Sequence, residues 1–162
     1  MLVDSNKRKL GPQEIILEAS RQIKSKKYSP DQIFAALISE SQEPNTILMR
    51  EGNTLYIIHE GKGRVAMYRA LNADTAQNFL ENGVTFAKAM YMAGFDVMVT
   101  DFEDPTLLKI FPFMKKNRAR INPDKDGKPT MGYAVQHTTT KDGAKGYRVT
   151  TVLGPKRSGD IE

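Results

Sequence analysis

The chain has no cysteine, no tryptophan and only two histidines, His59 and His137, in 162 residues. Without cysteine there is no disulfide, no thiol nucleophile and no thiolate metal site. Two isolated histidines make a histidine-rich metal centre equally unexpected. No apolar run nears the roughly 18 residues that a bilayer-spanning helix requires. The opening residues, Met1-Leu2-Val3-Asp4-Ser5-Asn6-Lys7-Arg8-Lys9, are too polar for a secretory signal, so the expected setting is cytoplasmic or an assembly built there. Charge of one sign is also scarce: 24 Lys and Arg stand against 19 Asp and Glu, a net +5. That excess permits a polyanionic partner without demanding one.

What is there fits one compact domain. We expect it over residues 12–153, with a flexible arm at 1–11 and a polar tail at 154–162. Ile15, Ile16, Ala19 and Ile23 recur at helical spacing after Gly11-Pro12, predicting a helix over 13–27. Ser29-Pro30-Asp31 restarts a helix, with Ile33, Phe34, Leu37 and Ile38 as its apolar stripe. The period then changes to two. Residues 46–50, 54–59 and 64–71 read as strands of an antiparallel meander, with Glu51-Gly52-Asn53 and Glu60-Gly61-Lys62-Gly63 as turns. Asn72-Ala73-Asp74-Thr75 has helix-capping chemistry, and Phe79, Leu80, Val84, Ala87, Met90 and Tyr91 form the stripe of a helix ending near Ala93-Gly94. Phe95–Phe102 is the most apolar strand and is expected at the centre of the sheet. A helix over 105–117, shortened by Pro112, a basic loop over 117–130 and a hairpin of 131–140 with 147–153 complete the chain.

This order, and the passage Asp104-Pro105-Thr106-Leu107-Leu108-Lys109-Ile110-Phe111 after the central strand, resembles the GNAT N-acetyltransferase superfamily. Asp104–Phe111 is similar to that family's Asn-Pro-x-x-Ala-x-x-x-Tyr helix, and Gly94-Phe95-Asp96-Val97 to its helix-to-strand join. The resemblance implies an α+β fold: a mixed, mostly antiparallel sheet flanked by helices, with an N-terminal helix hairpin. It also implies two chemical requirements. One is a glycine-containing loop of pattern Gln/Arg-x-x-Gly-x-Gly/Ala, whose N–H groups cradle the coenzyme A diphosphate at a helix N-terminus. The other is a tyrosine that protonates the departing thiolate. At the first place stands Leu71-Asn72-Ala73-Asp74-Thr75, without glycine and with a negative charge; at the second stands Phe111, without a proton to give.

Other constellations give weaker candidates. Gly61, Lys62 and Gly63 are either a hairpin turn or, if residues 64 onward were helical, a displaced phosphate loop. Asn72 and Thr75 are the polar groups nearest the expected cradle. Tyr68, Asp101 and Glu103 are the candidates for proton transfer if acetyl-coenzyme A is used. Asp101, Glu103 and Asp104 cluster at the carboxyl end of the central strand, where α/β sheets place sites, although Asp104 is equally a helix cap. His59 and His137 show no partner at fixed spacing. Met90, Tyr91 and Met92 read as core. Lys115, Lys116, Arg118, Arg120, Lys125 and Lys128 form a basic segment, interrupted by Asp124 and Asp126, that suits a partner protein or DNA.

The reading that follows is a non-enzymatic structural or binding protein on a degenerate GNAT-like fold, without cofactor or metal. In size, basic balance and missing motif it is similar to GNAT-like virion proteins of short-tailed bacteriophages, which implies other proteins of an assembly as partners. The alternative is an acetyl-coenzyme A-dependent N-acetyltransferase. A small DNA-associated regulator is a third class, but the first two helices offer no base-reading helix.

Overall fold

A computed structural model describes residues 10–23, 27–123, 131–140 and 143–154. The expected arm and tail lie almost wholly outside this set. Helix α1 spans Pro12–Gln22, shorter than expected, because Ile23 leaves the helix with extended backbone (ψ 122°). Helix α2 spans Pro30–Ser41 and begins where the capping residues place it: the Ser29 hydroxyl accepts from the Gln32 N–H while the Gln32 side chain accepts from the Ser29 N–H.

Strands β1 (Thr46–Glu51), β2 (Thr54–Gly61) and β3 (Val65–Asn72) form the meander. Helix α3 (Ala76–Met92) leads to β4 (Val97–Phe102). A 3-10 turn at Pro105–Lys109 precedes α4 (Ile110–Lys116). The sequence predicts one bent helix here; the Asp104 carboxylate instead caps a 3-10 segment through the Thr106 N–H. A short helix α5 (Arg118–Ile121) then stands in what reads as loop, ending with Ile121 in the core. Strands β5 (Gly132–Thr139) and β6 (Lys145–Val152) close the chain.

The six strands form one sheet in the order β1-β2-β3-β4-β6-β5. All neighbours are antiparallel except β3 and β4, so β4 is central as expected. Strand alternation sorts β2 between two cores. Leu55 and Ile57 face α1 and α2, where Ile15, Ile16, Ala19 and Leu37 cover them. Tyr56 and Ile58 face α3 and α4, joining Val84, Phe86, Met98, Phe111 and Met114. Burying side chains such as Ile15 and Ile16 contributes about 1.5–3 kcal/mol each. Gly83, in the middle of α3, lets α4 come close: a Cβ there would lie 3.1 Å from the Met114 methyl carbon. No helix among the described residues is long and apolar enough to cross a membrane.

Candidate functional site

The one parallel pairing in the sheet is short. Val65, Ala66 and Met67 pair with Val97, Met98 and Val99, and the ladder stops there although β3 continues to Asn72 and β4 to Phe102. Ladder alternation shows which groups face the divergence. Ala73 donates to the Asn53 carbonyl, so odd-numbered residues of β3 bond β2 and even-numbered ones face β4. Leu153 donates to the Asp96 carbonyl, so odd-numbered residues of β4 face β3. The next rung would join Tyr68 and Ala70 to Asp101. The Tyr68 carbonyl and the Ala70 backbone groups face the divergence without a ladder partner on β4.

The Tyr68 ring lies against Phe86, with ring centroids 5.0 Å apart, and near Tyr56 at 6.2 Å. Burial pushes its hydroxyl well above the ordinary phenol range, so it stays protonated at neutral pH and is reluctant to give the proton up. Phe111 is 2% exposed, stacked against Phe102 and tilted against Tyr133, so the residue that the resemblance sets against the family's acid is packed into the core.

At the N-terminus of α3, Thr75 is the cap and its hydroxyl accepts from the Asn78 N–H. The half-buried Asp74 carboxylate accepts from the Asn53 N–H (2.8 Å), the Asn82 amide (3.0 Å) and the Asn78 amide (3.2 Å). Burial opposes its ionisation, but these donors, with the Thr75 N–H, outweigh burial and hold its pKa below the ordinary value. Asn72 is engaged in the same network: its amide oxygen accepts from the Thr54 hydroxyl and the Asp74 N–H. A coenzyme diphosphate at this turn would lie beside a carboxylate that Asn53, Asn78 and Asn82 hold in its charged form.

Gly61, Lys62 and Gly63 make the β2–β3 turn, at the opposite end of β3 from this helix N-terminus. A strand follows them, so they have no helix end to reinforce them as a phosphate loop. Asp101 is bound through both oxygens by Arg148 (2.8 and 2.9 Å), and this pairing, aided by Arg69, lowers its pKa despite partial burial. Glu103 is exposed beyond the end of β4. Arg118 donates to the Lys115 carbonyl and Arg120 to both oxygens of Glu81, while Lys115 and Lys116 are exposed. Lys125 and Lys128 lie outside the described residues. His59 has partners that sequence spacing did not disclose: Glu40 at 3.2 Å and Thr46 at 3.3 Å, with Glu40 also accepting from Arg69. Its two partners come from other elements, α2 and β1, and Arg69 joins from β3, so no local motif announces the cluster. His137 lies against the Tyr147 ring. Among the described residues no group of three His, Cys, Asp or Glu is placed to hold a metal ion.

Two depressed carboxylates set a pH dependence. Their stabilisation is fully present above the unfolded aspartate pKa of about 3.9 and is lost as pH falls through the lower folded values. The denaturation midpoint should therefore drop as pH falls below about 4, and a D74N/D101N double variant should show a shallower drop. An unchanged slope in that variant would refute the assignment.

No protein-family model matches the chain, and no curated protein matches its sequence. Solved structures do match its fold. Aminoglycoside 6'-acetyltransferase type Ii aligns with TM-score 0.55 at 11% identity, over 90% of this chain and 92% of that one. The aminoglycoside 6'-N-acetyltransferase from Enterococcus faecium gives 0.54 at 10%, over 90% and 93%. The ribosomal-protein-S18-alanine N-acetyltransferase from Escherichia coli gives 0.54 at 8%, over 96% and 97%. The chain thus has the GNAT acetyltransferase fold along nearly its whole described length. At such identities the likeness speaks for architecture and not for chemistry.

Proposed function

We propose that this protein is a binding or assembly module on an acetyltransferase scaffold, and that it does not use acyl-coenzyme A. The observation that carries this reading is the Asp74 carboxylate, fixed by Asn53, Asn78 and Asn82 at the helix end where a diphosphate would need to lie. The burial of Phe111, with no hydroxyl at the place of the acid, supports it independently. The similarity in size, charge and missing motif to GNAT-like virion proteins of short-tailed bacteriophages supports a setting within a virion. The partners would be other proteins of that assembly, with DNA as a further partner along the basic segment at Lys115, Lys116, Arg118 and Arg120.

The second reading, an N-acetyltransferase, draws on the divergence of β3 and β4 beyond Met67 and Val99, which turns backbone groups toward the space between them. Isothermal calorimetry separates the two. The expected result is no binding heat with acetyl-coenzyme A or free coenzyme A. A micromolar dissociation constant would overturn the assembly reading and establish the second.

A further inference from the structure

Strand β5 is an edge strand of unusual make-up. It reads Gly132-Tyr133-Ala134-Val135-Gln136-His137-Thr138-Thr139, without Lys, Arg, Asp, Glu or Pro, and every residue from Ala134 to Thr139 is exposed. Sheet edges are ordinarily protected by charge, proline, bulges or a covering element, because their unpaired N–H and C=O groups template further strands. The opposite edge, β1, follows that rule: it carries Arg50 and Glu51, and Arg50 reaches across to the Leu10 carbonyl. Among the described residues β5 pairs with β6 alone and carries none of these protections.

The pairing with β6 fixes which backbone groups point outward. Thr140 donates to the Ala144 carbonyl, which makes residues 140 and 144 a hydrogen-bonded pair. By alternation the even-numbered residues of β5 bond β6, and Tyr133, Val135, His137 and Thr139 present their N–H and C=O to the outside. We propose that this edge pairs with the same edge of a second copy, antiparallel about a two-fold axis at Gln136, to make one continuous twelve-stranded sheet.

The sequence of β5 is complementary to itself in that register. Centring on Gln136 sets Val135 opposite the second copy's His137 and Tyr133 opposite its Thr139. The four outward pairs so formed exchange about eight main-chain hydrogen bonds. Opposed residues lie on the same face of the sheet, as an axis perpendicular to it requires. No pair brings like charges together, a juxtaposition that would oppose association. On the Gln136 face the neighbouring cation, Arg148, sits one strand inward and is neutralised by Asp101 at 2.8 Å. Edge pairing alone buries less than the roughly 1,200 Å² of a standard stable interface, so the dimer is expected to exchange rapidly and to depend on concentration.

Sedimentation equilibrium of the full chain tests this, with charge placed at the axis. In the proposed register Gln136 faces its own copy, so Gln136→Lys and Gln136→Glu each oppose like charges across the axis. Each variant alone should dimerise several-fold more weakly than the parent. An equimolar mixture of the two should recover dimer, because Lys then faces Glu. Gln136 is exposed, and circular dichroism of each variant will confirm that it folds. A parent chain that stays monomeric up to its solubility limit would overturn the proposal. So would a dimer indifferent to both substitutions, or one that the mixture fails to restore.

Discussion

Phe86→Ala is expected to remove about 3–5 kcal/mol of stability, which is the range for deleting a buried aromatic side chain. The ring is 0% exposed and stacks on Tyr56 with centroids 3.8 Å apart and planes 1° from parallel. It also meets Tyr68, so one ring from α3 joins β2 and β3. Its neighbours are held by the sheet ladder and cannot collapse into the space it leaves. The loss is a large part of the roughly 5–15 kcal/mol by which a domain of ordinary stability is folded. Denaturant titration measures it. The Tyr56 hydroxyl is the internal control, since it is buried without a hydrogen-bond partner. Tyr56→Phe should therefore leave stability unchanged or raise it. A Phe86→Ala loss below about 1 kcal/mol would mean that the aromatic stack is not a principal support of this core.

Gly52→Ala is expected to cost about 2–4 kcal/mol, combining the strain of an L-residue in left-handed backbone with the loss of a half-buried hydrogen bond. Gly52 has φ +56°, and a Cβ there would lie 2.7 Å from the Asp74 carboxylate and 3.0 Å from the Asn82 amide. These are the groups that bind the β1–β2 turn to the first turns of α3. Displacing them breaks the Asn53–Asp74 hydrogen bond along with the turn. A thermal melt would register the loss. If Gly52→Ala melts like the parent, the turn does not depend on this approach, and the claim that Asp74 is rigidly held falls with it.

The same residues show how far the sequence could be read. Ser29-Pro30-Asp31 marked the start of α2 because capping is a local problem solved within a few residues, and the structure adds Gln32 to the cap. The meander followed from a period of two, the centrality of β4 from its apolar run. Phe111 and Asp74 were legible as departures from a pattern, and both now have a physical account: one is in the core, the other is a bound carboxylate. The end of α1, the 3-10 turn and α5 were not legible, because tertiary contacts decide them. The same holds for His59–Glu40 and Asp101–Arg148, whose partners lie 19 and 47 residues apart. No spacing rule reaches that far.

The brevity of the β3–β4 ladder has a mechanical meaning. The sheet is two three-stranded leaves bound along a spine only three residue pairs long, and most of what keeps the leaves together is the apolar filling under α3 and α4. Prising the leaves apart at their open end breaks almost no backbone bonds; the resistance comes from hydrocarbon that would have to be wetted. A molecule intruding there would meet a book stiff in its covers and weak in its binding.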